Sequence, residues 1–214
     1  QLEGFDIAGA SRPAAATGGD YFDYLTTSDS QLALAIGDVS GHGIGPAMLM
    51  AETRAYLRIL TRNRNDLSLI LTRANTMVGE DVGEERFVTM LLAKLDPKKR
   101  TLVHASAGHS PAFILSSDGA VKGELRRTGM PLGVMPDAEY TVSKPLYLTK
   151  GDVLVLLTDG LEETVNPSEE LFGVDRILQA VHQNRHLKAA KIVESVFETL
   201  KDFSDNAEQV DDLT

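Results

Sequence analysis

Hydrophobic and polar positions alternate cleanly over residues 31–38. Leu32, Leu34 and Ile36 fall on one side of this stretch, and small residues fall on the other. A period of two predicts a β-strand, and the small side chains allow a second layer to approach closely. Pro46 then suits the first turn of a helix over 46–62. We expect the inner face of this helix to carry Met48, Ala51, Ala55 and Ile59, which recur at helical spacing.

The rest of the hydrophobic pattern predicts further helices and strands, which do not alternate regularly along the chain. A second helix is expected over 67–78, and two more over 174–183 and 187–203. Strands are expected over 87–96, 100–108 and 111–117, with Asp118-Gly119 as an ordinary turn, and an apolar strand buried on both faces over 153–157. Because most strands follow one another directly, the pattern favours an α+β fold with antiparallel sheets covered by helices.

Composition narrows the class of protein. The chain has 214 residues, 43% of them hydrophobic, which suffices for one sizeable core. Its formal net charge of −10 disfavours binding to nucleic acid or to an anionic membrane surface, and no apolar run is long enough to span a bilayer. The absence of cysteine excludes disulfides, thiolate metal sites and thiol catalysis. We therefore expect a single cytoplasmic domain over residues 1–214, taken from a longer multidomain protein.

Several common catalytic motifs are missing. The glycine-rich stretch 41–46 has Pro46 where a dinucleotide-binding loop needs its third glycine, and it lacks the Lys-Ser/Thr pair of a phosphate loop. No His-Glu-x-x-His or Gly-x-Ser-x-Gly motif occurs, and the five histidines do not follow zinc-ligand spacing. Hydride transfer, nucleotide-loop chemistry and serine-hydrolase chemistry are therefore disfavoured.

A set of aspartates at turns provides the candidate chemistry. Its members are Asp20, Asp38, Asp159 and the pair Asp211-Asp212. Asp38 continues the row of Leu34 and Ile36, and Asp159 continues the row of Val153, Val155 and Leu157. A carboxylate at the end of a core-facing row needs a cation, because an unpaired buried charge is expensive. Oxygen ligands without cysteine or clustered histidine indicate Mg²⁺ or Mn²⁺.

Each of these features also has a plainer interpretation. Aspartate beside glycine is common in ordinary turns. His42 is either a polar group near the metal loop or a packed turn residue, and we expect His109 to be a structural group of a hairpin. Arg54, Arg58 and Arg62 follow helical spacing; we expect a solvated face, with an acidic docking partner as the alternative.

The motifs in their order resemble a known family. Arg12-Pro13-Ala14, Gly18-Gly19-Asp20-Tyr21-Phe22-Asp23 and Gly37-Asp38-Val39-Ser40-Gly41-His42-Gly43 are followed by Ala107-Gly108-His109-Ser110-Pro111-Ala112, Pro131-Leu132-Gly133, Thr158-Asp159-Gly160-Leu161-Glu162-Glu163 and Asp211-Asp212-Leu213-Thr214. Over essentially the whole chain this series is similar to the bacterial PPM-type metal-dependent serine/threonine phosphatases. Within them it resembles the branch of the sporulation stage II and stress-response sigma-factor phosphatases.

The resemblance implies a fold and a set of site residues. The fold would be a four-layer α-β-β-α sandwich, with two antiparallel sheets flanked by helices. Two ions, Mn²⁺ or Mg²⁺, would be held by Asp20, Asp38, Asp159 and Asp211 and by the carbonyl of Val39. Asp38 would bridge the ions, and Asp38 and Asp159 are the expected catalytic residues. Asp23 and Asp212 would act one step further out or through water.

The resemblance also implies a substrate and a regulatory context. The substrate would be a phosphorylated regulatory protein, an anti-anti-sigma factor of the STAS type, and the upstream segment would be a sensor or receiver domain. A homodimer is left open. The family continues past the last motif into an apolar strand, so we expect Asp211 to lie on a fraying end. Two other functions remain open, a pseudophosphatase that only binds a regulator and a metal-dependent phosphohydrolase of small phosphate esters.

Overall fold

The computed structural model describes residues 2–82, 86–205, 207 and 209–214. The elements in chain order are β1 (Tyr21–Thr26), β2 (Leu32–Val39), α1 (Ile44–Asn63), α2 (Leu67–Asp81), β3 (Val88–Asp96), β4 (Thr101–Ala107), β5 (Ala112–Leu115), β6 (Val121–Leu125), β7 (Leu146–Tyr147), β8 (Val153–Val155), α3 (Asp159–Glu163), α4 (Gly173–Asn184) and α5 (Ala189–Phe203). None of the described helices is long and apolar enough to cross a membrane.

The strands form two antiparallel sheets. The first sheet has the order β1-β2-β3-β4-β7, and the second has the order β6-β5-β8. In the first sheet Tyr21 lies opposite Gly37, and Asp38 lies opposite Thr89. In the second sheet β5 pairs with both neighbours in antiparallel register. The prediction of antiparallel sheets is confirmed.

The two sheets pack face to face, and helices cover both outer faces. The alternation of β2 sets the inner layers: Ala33 and Ala35 lie under α1 and α2, whereas Leu34 and Ile36 face the second sheet. On the far side of the second sheet, α4 and α5 pack on β8 through a third apolar cluster that includes Phe172, Ile177, Val196 and Phe197. This four-layer arrangement confirms the expected fold class and places Asp38 in the space between the sheets.

The inner face of α1 was predicted wrongly. Met48, Ala51, Ala55 and Ile59 are exposed, and the buried residues are Pro46, Leu49, Met50, Thr53, Leu57 and Thr61. Two polar residues interrupt the buried stripe and disguise it in the sequence. Thr53 and Thr61 are accommodated because their hydroxyls donate to the carbonyls of Leu49 and Leu57, each at 2.8 Å.

Other differences concern short or edge elements. The predictions omitted β1, β6, β7 and α3. The apolar strand expected over 153–157 is only Val153–Val155, and it is half-buried instead of fully buried. In the described part of the chain β8 is an edge strand paired with β5. Val153 and Val155 pack toward α4 and α5, whereas Leu154 packs between the sheets. Asp159, expected in a turn, is the first residue of α3.

Candidate active site

Four aspartates from distant parts of the chain lie together at one end of the two sheets. Asp20 immediately precedes β1, Asp38 is near the end of β2, Asp159 begins α3, and Asp211 belongs to the C-terminal segment. Burial raises the pKa of Asp38 to about 8, and the negative charges of the other three aspartates contribute to the increase. Tertiary structure therefore gathers the four carboxylates named from the sequence.

Asp38 and the carbonyl of Val39 open onto the same small space. A Cβ placed on Gly19 would lie 3.1 Å from Oδ1 of Asp38 and 3.0 Å from the carbonyl oxygen of Val39. Both distances are tighter than an ordinary contact, so a side chain at position 19 would crowd both oxygens. The glycine before Asp20 thus leaves a carboxylate and a carbonyl accessible side by side.

Asp20 is held by Thr158, which immediately precedes α3. The hydroxyl of Thr158 donates to Oδ2 of Asp20 at 2.7 Å. Burial nevertheless raises the pKa of Asp20 to about 7, and the charges of Asp212 and Asp211 act in the same direction. The strongest charges acting on Asp20 and Asp38 are other acids, so the site has an excess of negative charge.

The C-terminal segment is packed against α3. A Cβ on Gly160 would lie 2.1 Å from the carbonyl oxygen of Asp212, so only glycine permits this approach. The segment is also anchored in the fold, since Arg12 and Leu213 exchange backbone hydrogen bonds of 2.8 and 3.0 Å. The amide of Thr214 donates to the Thr158 hydroxyl at 3.1 Å. The expectation that Asp211 lies on a fraying end is therefore wrong.

Asp212 organises the loop that carries Asp20. Its carboxylate is buried and accepts hydrogen bonds from the backbone amides of Ala14 (2.8 Å), Gly19 (2.6 Å) and Asp20 (3.3 Å). These three bonds fully engage the carboxylate with backbone donors. Asp212 therefore fixes the position of Asp20.

Asp23 belongs to a different face of β1. Its carboxylate accepts two hydrogen bonds from Arg58 at 2.7 and 2.9 Å and one from the Tyr21 hydroxyl at 2.8 Å. Burial alone would raise the pKa of Asp23, but the bonds from Arg58 and Tyr21 outweigh it and hold the pKa below its usual value. Arg54 lies 3.8 Å away. Arg54, Arg58 and Arg62 are all exposed, which agrees with the expected solvated face. Arg54 and Arg58 also join α1 to β1 through Asp23.

The two histidines of the motifs have different environments. His42 is exposed in the loop between β2 and α1, which is incompatible with a packed turn residue. His109 is only 2% exposed, and burial lowers its pKa to about 4. It contacts Thr89 and the carbonyl of Leu157, as a structural group does. The expected hairpin is wrong, however, because β4 and β5 on either side of His109 belong to different sheets.

The donor set matches hard divalent cations in kind and in charge. None of the four aspartates is within ion-pairing distance of a described lysine or arginine. Carboxylate and carbonyl oxygens are the ligands that Mg²⁺ and Mn²⁺ prefer. Within the described ranges, however, no three His, Cys, Asp or Glu side chains stand together as a complete metal-ligand set.

A cavity of about 970 Å³ lies apart from this cluster. Its walls are largely apolar and come from the N-terminal segment, β8 and α5, with Ile7, Leu154 and Val193 among the lining residues. None of the four aspartates lines it. The four aspartates thus lie at one end of the sheets and outside this cavity.

Sequence reasoning missed the polar groups that position the acids. Thr158 is fully buried and bonds to Asp20 across 138 residues of chain, which no local pattern reveals. That Asp23 does not join the cluster of four aspartates could have been predicted from the sequence. Asp20 and Asp23 are three residues apart, and an odd separation in extended chain places two side chains on opposite faces.

The fold is that of PP2C-type phosphatase domains. The structure of the PP2C domain of SiaA from Pseudomonas aeruginosa matches with a TM-score of 0.80 and 21% identity, covering 95% of this chain and 80% of that one. The PP2C phosphatase domain of SpoIIE from Bacillus subtilis, solved with a fragment of its regulatory domain, matches with a TM-score of 0.75 and 20% identity, covering 95% and 60%. These TM-scores establish the shared fold.

The sequence comparison gives the family. The family model described as Stage II sporulation protein E (SpoIIE) matches residues 28–214, and the chain belongs to this family. Phosphoserine phosphatase RsbU of Bacillus subtilis (strain 168) is 29% identical over 96% of this chain, and Protein IcfG of Synechocystis sp. is 28% identical over 100% of it. The chain spans 60% and 37% of the length of these relatives, respectively. The resemblance inferred from the ordered motifs is confirmed.

Proposed function

We propose that this chain is a metal-dependent protein phosphatase that hydrolyses phosphoserine or phosphothreonine on a regulatory protein. The observation that carries the proposal is the cluster of Asp20, Asp38, Asp159 and Asp211, whose mutual repulsion calls for cations. Family membership and the similarity to a phosphoserine phosphatase support it. A pseudophosphatase is expected to have lost one of the acids that turnover requires. All four are present in this chain, which disfavours that alternative.

Two Mn²⁺ or Mg²⁺ ions are proposed, with Asp38 shared between them. Asp20, Asp159, Asp211 and the carbonyl of Val39 would complete the protein ligands. When bound, the ions would supply an activated water nucleophile and positive charge for the phosphoryl oxygens. Asp38 and Asp159 are the proposed catalytic residues because they would hold the ions in contact with the substrate. A solved relative, RsbX, was crystallised in complex with magnesium.

Within the chain, two contacts prepare the site. The Thr158 hydroxyl orients the Asp20 carboxylate, and Asp212 holds the backbone on either side of Gly19. Both side chains make these hydrogen bonds without any bound ligand. This preorganisation reduces the cost of assembling several carboxylates around a cation.

One solved relative supports a regulatory context for this chain. This relative contains the RsbU and RsbW domains of Rv1364c from Mycobacterium tuberculosis, with 25% identity and a TM-score of 0.73, covering 93% of this chain and 54% of that one. We propose a STAS-type phosphoprotein as substrate and an upstream sensor or receiver domain as regulator. The cysteine-free, acidic chain suits the cytoplasm. A homodimer is proposed as the form to be tested by its mass in solution.

The decisive experiment is a phosphatase assay on a phosphoserine peptide and on an aryl phosphate, with Mn²⁺, with Mg²⁺ and with chelator. We expect turnover with either metal and none with chelator. Asp38→Asn should lower turnover by about a hundredfold or more, like the loss of a major electrostatic group. Asp118→Asn, in an exposed turn, is the matched control and should retain full activity. Wild-type turnover in Asp38→Asn at saturating Mn²⁺ would exclude the metal mechanism.

A further inference from the structure

His109 connects the two sheets at the end where the aspartates lie. It follows β4 in the loop that leads to β5. Its Nδ1 is 2.9 Å from the hydroxyl of Thr89, in the first sheet. Its Nε2 is 3.2 Å from the carbonyl oxygen of Leu157, two residues beyond β8 in the second sheet. One buried side chain therefore spans the gap between the sheets.

The two contacts define the protonation state of the ring. The Leu157 carbonyl can only accept, so Nε2 must carry the hydrogen. In the neutral ring Nδ1 then accepts the hydrogen of the Thr89 hydroxyl. Burial keeps the ring neutral at physiological pH, because it lowers the pKa of His109 to about 4. Both hydrogen bonds are therefore satisfied together by a single tautomer.

Each partner of His109 is close to a proposed ligand along the chain. Thr89 lies directly opposite Asp38 in the register of β2 and β3. Leu157 is followed by Thr158, which bonds to Asp20, and then by Asp159. The bridge thus joins the strand pair that carries Asp38 to the turn that carries Asp159.

We propose that His109 is a positioning residue of the active site: by tying Thr89 to Leu157, it holds the strand pair that carries Asp38 in place against the turn that carries Asp159, and so supports metal binding by both. The inference rests on the proposed function, since it assigns His109 a role toward the same ions. His109 does not reach the substrate or the ions and acts only through backbone position. Loss of the bridge leaves both strands in place but lets the two halves of the site move relative to each other.

His104 provides a matched control. It is also buried, at 5% exposed, and burial likewise lowers its pKa. It lies in β4 of the first sheet, and its Nε2 bonds to the carbonyl of Arg126, just after β6 of the second sheet, at 3.0 Å. It therefore also links the sheets, but neither it nor Arg126 is adjacent in sequence to any of the four aspartates. Replacing it tests the general cost of removing a buried histidine.

The test uses variants that remove the same hydrogen bond from either side. His109→Gln keeps a donor near the Nε2 position but loses the Nδ1 acceptor, and Thr89→Val removes the hydroxyl while preserving the shape of the side chain. Mn²⁺ affinity is measured by isothermal titration calorimetry and by the Mn²⁺-induced rise in Tm, beside the wild type and His104→Gln. These readouts do not depend on turnover.

We expect His109→Gln and Thr89→Val to weaken Mn²⁺ binding by about tenfold, the lower end for outer partners of a metal site. Thr89→Val also removes a 3.4 Å contact between the Thr89 hydroxyl and the carbonyl oxygen of Asp38. The double variant should therefore bind about as weakly as Thr89→Val alone, because that variant already lacks the bond to His109. His104→Gln should lower the Tm of the metal-free protein while leaving Mn²⁺ affinity unchanged.

The outcomes separate this inference from the proposed function. Folded His109→Gln and Thr89→Val that bind Mn²⁺ as tightly as the wild type overturn the positioning role alone. An equal loss of affinity in His104→Gln also overturns it, because the effect would then be general softening. If His109→Gln does not fold, Thr89→Val decides. A wild-type protein that neither binds Mn²⁺ nor hydrolyses a phosphate ester overturns the proposed function and this inference together.

Discussion

Replacing Asp38 with asparagine should stabilise the metal-free protein. The wild-type carboxylate must ionise in a partly buried position that also feels the charges of Asp20, Asp159 and Asp211. Asparagine has nearly the same shape and no charge, so the folded protein no longer pays for burying that charge. The same substitution is expected to lower turnover by about a hundredfold or more, so stability and function should change in opposite directions.

The magnitude follows from the raised pKa. The pKa of Asp38 rises from its ordinary value of 3.8 to about 8. One unit of pKa corresponds to about 1.4 kcal/mol, so the full shift is on the order of 6 kcal/mol. Because the side chain is partly exposed and water screens its charge, we expect about 2 kcal/mol. For a chain of this size that equals a rise in Tm of about 4–8 °C.

The gain should depend on pH in a defined direction. A carboxylate whose pKa is raised by folding stays protonated in the folded state, so it costs nothing below the pKa of the unfolded chain. The penalty grows as the pH rises from about 4 to about 8 and is constant above that. Asp38→Asn should therefore match the wild type in Tm at pH 4 and exceed it most at pH 9.

The assay is thermal unfolding in chelator at pH 4, 7 and 9, repeated with Mn²⁺ at pH 7.5. Metal should reverse the order, because a ligand at a hundred times its Kd stabilises the wild type by about 2.7 kcal/mol. Asp23→Asn is the control, since it removes a carboxylate that Arg58 stabilises; it should lower the Tm above pH 4 and leave the metal effect intact. An Asp38→Asn protein that is less stable than the wild type at pH 9 in chelator would refute the reasoning.

Three further variants test other parts of the site. Asp159→Ala should reduce the Mn²⁺-induced rise in Tm, measured by differential scanning fluorimetry beside Asp118→Ala; equal rises would show that Asp159 is not a ligand. Asp212→Ala should lower the free energy of unfolding in urea by about 2–3 kcal/mol, because three backbone amides lose a charged acceptor; a change below about 0.5 kcal/mol would contradict this role. Gly160→Ala should displace the C-terminal segment from α3 and weaken Mn²⁺ binding in calorimetry, because the added Cβ would lie 2.1 Å from the Asp212 carbonyl oxygen; unchanged Mn²⁺ affinity would show that this contact does not position Asp211.

Periodicity was sufficient to predict the two faces of β2, and the motifs were sufficient to predict the residue types of the site. The alternation in β2 assigns Leu34 and Ile36 to one face and Ala33 and Ala35 to the other, because backbone pleating alone sets that period. The same period places Asp38 at the end of an inward-facing row. The order of the aspartate and glycine motifs was sufficient to predict the family.

The inward face of α1 required the tertiary structure. Two apolar stripes run along this helix, and helical periodicity cannot choose between them. The stripe with Leu49 and Leu57 is buried because it faces the small residues of β2, although Thr53 interrupts it. The stripe with Met48 and Ile59 remains exposed.

Only the tertiary structure decided which acids form the cluster and what holds them. Asp20 and Asp23 are close in sequence, yet the first meets Thr158 across 138 residues and the second meets Arg58 on α1. Asp212 reaches the amide of Gly19 across 193 residues. Local sequence patterns predict the secondary structure and the face of a helix or strand on which each side chain lies. The packing of two sheets and a terminal segment decides which distant polar groups satisfy one another, since each buried group needs a partner.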